Sequence, residues 1–251
     1  MKYAVLVGIN YPGTSNELRG CVNDVLARKE ILVKNFGFTD IAVMTDSQAT
    51  TAKIKSILQA AKKVCTEKDL FYFMYSGHGA QIPDATEADG MAEIICPIDF
   101  NWEREHMITD DDFAAVLDGF KGQFVACFDS CHSGDGLRDF DVKSKFIPFP
   151  AHLPLMRPKV KPLVYADKTR KGILMAGCHS DQTSADANIG GKYCGAFSYC
   201  MNAALEAADY KITYFDLINQ TAAILKQRGF NQVPELDCPD SMMDKYFLNQ
   251  I

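Results

Sequence analysis

Leu70-Phe71-Tyr72-Phe73-Met74-Tyr75 runs directly into Ser76-Gly77-His78-Gly79. A second run, Phe124-Val125-Ala126-Cys127-Phe128, closes the same way on Asp129-Ser130-Cys131-His132-Ser133-Gly134. Short continuous apolar runs rich in aromatic and β-branched residues read as strands buried on both faces, as in parallel sheets. Each run delivers a reactive side chain, an imidazole or a thiol, to the point where a buried strand becomes a loop. Glycine there lets the backbone take positive φ and approach a ligand closely. A histidine able to accept a proton and a thiol able to lose one are the minimum parts of a cysteine nucleophile system.

The flanking sequence alternates between strand and helix patterns. Residues Lys2 to Ile9 and Ile41 to Met44 read as strands, with a helix from 22 to 35 between them that stops at Gly37. Residues 50–64 place Ile54, Ile57, Leu58 and Ala61 at helical spacing. Thr109 is positioned to cap a helix through Leu117, with Asp110, Asp111 and Asp112 in its first turn. A minor extended segment is expected around 94–98, strands at 172–176 and 232–236, and helices near 196–207 and 213–228. This order predicts an α/β/α sandwich, a mainly parallel sheet of about six strands with helices on both faces. Ligands bind such sheets beyond the carboxyl ends of the strands. If the strands that end at His78 and Cys131 are neighbours, folding brings the two side chains face to face.

One stretch breaks the alternation. Residues 134–171 hold five of the ten prolines, and nine Lys or Arg against four Asp. Proline at that density prevents helix and central strand, so the stretch reads as a long exposed connection. The expected organisation is a large part, 1–134, a basic connecting loop, 135–171, and a small part, 172–251, within one structural domain.

A net charge of −6 argues against a nucleic-acid binder, which normally carries a basic face. No apolar run approaches the roughly 18 residues of a membrane helix. The N-terminal apolar stretch is too short for a signal peptide and reads as a strand. Nine cysteines without a C-x-x-C pair suggest neither zinc nor a thioredoxin-type redox pair. A reducing cytoplasm is the expected compartment.

The two motifs, S-G-H-G and D-S-C-H-S-G in this order, resemble those of the metacaspases, caspase-like cysteine peptidases of plants, fungi, protists and bacteria. Gly8-Ile9-Asn10-Tyr11, Leu18 to Asp24, Glu87-Ala88-Asp89-Gly90, Ile108 to Asp112 and Gly177 to Asp186 match further blocks of that family, so the likeness spans nearly the whole chain. The resemblance implies a caspase-like fold, with Cys131 as nucleophile, His78 as proton carrier, and the amides of Gly79 and Cys131 as an oxyanion hole. It also implies an acidic primary pocket lined by Asp24, Ser76 and Asp129, with Asp186 close by. Such carboxylates repel an acidic side chain and bind a basic one. The expected substrates are therefore proteins or peptides cut after Arg or Lys. The basic connection, including Lys143, Lys145, Arg157, Lys159, Lys161, Lys168, Arg170 and Lys171, is a natural place for self-cleavage.

No cofactor is expected to be required. Relatives that bind calcium do so through acidic residues, and Asp110 and Asp111 match that site. The family's D-G-x-D-E reads Asp89-Gly90-Met91-Ala92-Glu93 here, however, so an expected ligand is alanine. Arg138-Asp139 shifts another carboxylate by one position. Calcium takes six to eight oxygens, and the loss weakens the site. His132 and Cys178-His179 read as structural decoys, and Cys21 as a packing thiol near the pocket. No third member of a triad is evident, which leaves a backbone carbonyl to orient the imidazole. The resemblance favours a monomer. An alternative reading is a catalytically silent interaction scaffold; a third is transpeptidase or ligase chemistry on the same acyl-enzyme.

Overall fold

A computed structural model describes residues 1–84, 90–131, 142–150, 172–179 and 182–249. The first half of the chain forms β1 (Lys2–Gly8), α1 (Cys21–Phe36), β2 (Asp40–Thr45), α2 (Thr51–Val64), β3 (Leu70–Ser76), β4 (Gly79–Pro83), β5 (Met91–Ile95), β6 (Ile108–Thr109), α3 (Asp110–Leu117) and β7 (Gln123–Asp129). It continues through β8 (Val142–Ser144), β9 (Gly172–Ala176), β10 (Ala185–Ile189), β11 (Lys192–Gly195), α4 (Ala196–Ala207), α5 (Tyr214–Gln227), β12 (Glu235–Asp237) and α6 (Asp240–Met243). The main sheet has six strands in the order β12-β9-β7-β3-β1-β2. All pair in parallel except β12, which runs antiparallel to β9.

Local chemistry explains the boundaries. Gly37 closes α1 at φ 68°, a left-handed conformation that costs glycine nothing. Thr50 caps α2 through its side-chain oxygen, and Thr109 forms a capping box with Asp112 at the start of α3. Every residue of β3 is buried, as its unbroken apolar run requires. Alternate residues serve opposite layers. Leu6, Leu70, Tyr72, Met74, Val125, Cys127 and Met175 pack against Val25, Leu32 and Phe36 of α1, Phe197 and Met201 of α4 and Leu217 of α5. Val5, Val7, Phe71, Phe73, Phe124 and Ala126 meet Ile54 and Leu58 of α2 and Val116 of α3. The result is the expected three-layer α/β/α sandwich.

Two expectations need correction. The late strand predicted at 232–236 is the short antiparallel β12. The connection read as exposed is, over its described part, drawn into the protein: β8 pairs antiparallel with β10, and Lys145 has no exposed surface. Proline density excluded a central strand, but a three-residue edge pairing that ends before Pro148 escapes that constraint. The two predicted parts share one sheet, since β9 and β12 extend it beyond β7. The boundary at 134 and most of the connection lie outside the described residues. Among the described residues, no helix is long and apolar enough to cross a membrane.

Candidate active site

Strand register builds the site. In the β3–β7 pair Ser76 stands opposite Asp129, and the Gly77 amide donates to the Asp129 carbonyl at 3.3 Å. His78 and Cys131 each follow two residues later, beyond adjacent strand ends. Both are buried, and both adjoin the backbone of Lys145.

His78 is held from several sides. Its Nε2 lies 2.7 Å from the Asn16 carbonyl. A carbonyl only accepts, so Nε2 carries the hydrogen and Nδ1 keeps its lone pair. The His78 amide donates to the Tyr11 hydroxyl at 3.0 Å, and the Tyr75 hydroxyl donates to the His78 carbonyl at 2.7 Å. The rings of Tyr11 and His78 are 4.8 Å apart. Burial lowers the imidazole's pKa to about 4, against the opposing pull of the Asn16 bond. It is therefore a neutral base at physiological pH.

Among the described residues, polar groups adjoin the Cys131 sulfur. Its sulfur lies 3.5 Å from the Ser184 carbonyl and 3.9 Å from the Ser144 hydroxyl. Burial pushes the thiol up, but a hydrogen bond from Cys178 and the nearby Lys145 ammonium are among the groups that carry it below the usual thiol range. Cys178, read above as a decoy, thus sits beside the Cys131 sulfur. Its own thiol is raised by that bond and by burial. Cys21 is buried, and burial raises its thiol as well.

Asp24, Ser76 and Asp129 gather around the Lys145 ammonium. The Ser76 hydroxyl donates to Asp24 at 2.7 Å, and the Gly195 amide donates to both Asp24 oxygens at 2.9 and 3.0 Å. Asp129 accepts from the Ser184 hydroxyl at 2.8 Å and from the Ser198 amide and hydroxyl at 3.0 and 2.6 Å. Ser198 lies in the first turn of α4, where the helix dipole favours an anion. A Cβ on Gly195 would fall 2.1 Å from Asp129 Oδ2, so only glycine lets the pocket wall come this close. Asp186 accepts from the Arg19 amide at 2.7 Å and is buried beside the pocket. Burial raises both Asp24, to about 6, and Asp186, while the Lys145 ammonium opposes the rise.

The pocket is filled by the chain itself. Lys145 Nζ is 3.0 Å from Asp129, 2.9 Å from Ser76 Oγ and 3.4 Å from Asp24. Burial works against that ammonium, but Asp129 and Asp24 among others outweigh it and hold it charged. The Lys145 carbonyl accepts from the amides of Gly79 at 2.9 Å and Cys131 at 3.3 Å. Its own amide donates to the Ser184 carbonyl at 3.1 Å. Sequence reasoning named Lys145 only as one of eight basic residues and missed Asn16, Tyr11, Ser184, Ser198 and Gly195. Asn16 acts through its main chain, which no side-chain motif reveals.

Asp110 and Asp111 begin α3, where the Asp111 amide donates to Asp110 at 3.0 Å. Asp112 is committed to its cap and to Arg104 and Lys55. Ala92 is a buried strand residue of β5. Among the described residues, no three His, Cys, Asp or Glu are grouped to hold a metal. Asp89, His132, Arg138 and Asp139 lie outside the described residues.

A family model for the metacaspase, peptidase C14 domain matches residues 2–139. The chain is 34% identical to Metacaspase-9 of Arabidopsis thaliana, over 99% of this chain and 97% of that one. It is 31% identical to Metacaspase-1 of Meyerozyma guilliermondii, over 94% of this chain and 68% of the relative. A crystal structure of a Geobacter sulfurreducens protein superposes with a TM-score of 0.75 at 22% identity, covering 100% and 99% of the two chains. That likeness speaks for the fold alone. With a caspase-like sandwich and a family match across most of its length, the chain belongs to the metacaspases of peptidase family C14 and is a cysteine-type peptidase, a hydrolase acting on proteins or peptides.

Proposed function

We propose an endopeptidase that cuts after Lys or Arg, with Cys131 as nucleophile and His78 as proton carrier, and whose first substrate is its own Lys145–Phe146 bond. The observation that carries this is the Lys145 ammonium between Asp24 and Asp129, with the Lys145 carbonyl on the amides of Gly79 and Cys131. The cationic side chain meets acceptors, and the carbonyl meets donors aimed where negative charge would develop.

In this reading the Cys131 thiolate attacks the Lys145 carbonyl carbon, and the two amides hold the resulting oxyanion. With Nε2–H anchored on Asn16, Nδ1 of His78 takes the thiol proton and passes it to the Phe146 amine as the peptide bond breaks. Water then attacks the thioester, with His78 as base, and releases the Lys145 carboxylate. No metal enters these steps. A reducing compartment suits this chemistry, since all nine cysteines are free thiols.

The test combines fluorogenic peptides ending in Arg, Lys or Asp with sequencing of new termini. Turnover of the basic peptides, a new N-terminus at Phe146 and loss of both in Cys131→Ala are expected. Preferential cleavage after Asp would overturn the pocket assignment. No turnover by either protein would favour a silent scaffold, and a peptide ligated rather than hydrolysed would favour transpeptidation.

A further inference from the structure

The cleft continues past the proposed scissile bond. Phe146 bridges to Gly79 in parallel, and the Ile147 amide donates to the Gly79 carbonyl at 2.9 Å. Two residues apart, Ile147 and Phe149 both pack against an apolar cluster built on β4 and β5, whereas Pro148 between them is exposed. Extended backbone produces this alternation. The Phe149 ring meets Trp102 edge-on at 5.2 Å, and Trp102 meets Phe100 at 4.7 Å. Buried Ala80, Ile82 and Met107 complete the cluster.

We propose that this cluster is a substrate-binding subsite for residues after the cut: the enzyme selects an aliphatic side chain at the second position beyond the scissile bond and an aromatic one at the fourth. The inference rests on the reading of Lys145–Phe146 as a bond held for cleavage. Its occupant is already seated, because the chain's own Ile147 and Phe149 hold the positions that a substrate's residues take. The backbone hydrogen bonds at Gly79 set the register, and the pockets for alternate side chains set the preference, as in strand-addition recognition. Lys or Arg in the acidic pocket then accounts for only part of substrate choice.

The experiment uses the wild-type full chain and three substrates sharing Val-Lys-Ser-Lys before the cut. One is an internally quenched peptide continuing Phe-Ile-Pro-Phe, the second continues Phe-Ala-Pro-Ala, and the third is a coumarin amide with nothing after the lysine. Removing one apolar side chain from a pocket costs roughly tenfold or more in kcat/KM, so the first peptide is expected to exceed the second by at least about tenfold. In Trp102→Ala the ratio of the two peptides, read on one preparation, falls towards one. A ratio near one in the wild type, with the coumarin amide turned over, overturns the subsite and leaves the proposed activity standing. Failure to turn over the coumarin amide overturns the activity reading and this inference with it.

Discussion

Replacing Lys145 with glutamine removes one charge from the centre of the site while keeping most of the side-chain length. Two carboxylates, at most 2% exposed, then face each other without their cation. Breaking a buried ion pair by deleting one partner costs about 3–5 kcal/mol. For a chain of this size each kcal/mol is worth about 2–4 °C, so a fall in melting temperature on the order of 10 °C is expected near pH 7.5. The measurement belongs in a Cys131→Ala background, where the chain stays whole and only folding is read. Acid should relieve the loss. Asp24 already sits near 6 with the ammonium beside it, and without that ammonium it takes up a proton more readily. Near pH 5.5 the gap between Lys145→Gln and its parent is expected to shrink. In the Cys131 background Lys145→Gln is expected to abolish the cut before Phe146, while Lys145→Arg preserves it. A glutamine variant that melts with its parent at both pH values, and is still cut at that bond, would refute the argument.

Gly195→Ala would place a methyl group 2.1 Å from Asp129 Oδ2 and 2.3 Å from Lys145 Nζ; KM for Arg and Lys peptides is expected to rise at least about tenfold, measured by fluorogenic turnover. The two titrations at the site oppose each other in sign. The depressed His78 contributes stability that is present above its unfolded pKa of 6.5 and lost as pH falls through about 4, whereas the raised Asp24 contributes stability present below 3.8 and lost as pH rises through about 6. The two contributions therefore oppose each other in calorimetry of Cys131→Ala between pH 4 and 6. Adding His78→Ala should leave stability falling as pH rises over that range. Finally, peptide turnover is expected to be the same in EDTA as in millimolar calcium, and strict calcium dependence would show that residues outside those described complete a cation site around Asp110 and Asp111.

The main sheet was readable because its strands are buried on both faces and its helices are amphipathic. Runs such as 70–75 and 123–128 have no competing reading at that length, and Gly37, Thr50 and Thr109 mark helix ends by their own chemistry. The acidic floor was legible only through the resemblance, in which Asp24, Ser76 and Asp129 take their places by motif position; no local pattern marks them as a pocket. Of the small sheets only β5 left a trace, in the minor extended segment expected at 94–98; β6 and β8 are only two and three residues long, too short to show a period. Ser184 and Ser198 look like ordinary serines until β10 and α4 are docked on β7. Lys145 escaped for a different reason. Its place depends on the register of β8 against β10, in which Ser144 opposes Ala185, and no local property separates it from Lys143 two residues earlier.

That register couples the architecture of the pocket to its specificity. Asp24 and Asp129 lie deep enough that, as carboxylates, they need a cation to remain buried together. Gly195, Ser184 and Ser198 satisfy several of their lone pairs, but hydrogen bonds from neutral groups leave the two negative charges uncompensated. Lys145 supplies one compensating charge, shared between the two, from within the chain, and its Nζ meets three acceptors, Asp129, Ser76 and Asp24, matching the three hydrogens of an ammonium. In the proposed reading, a substrate lysine or arginine entering as Lys145 leaves would replace one positive charge with another, so the carboxylates would keep a cation through the exchange. An aspartate in the same place would add a third carboxylate to two. The interaction that keeps the unprocessed site folded is thus the same one that would select what it cuts.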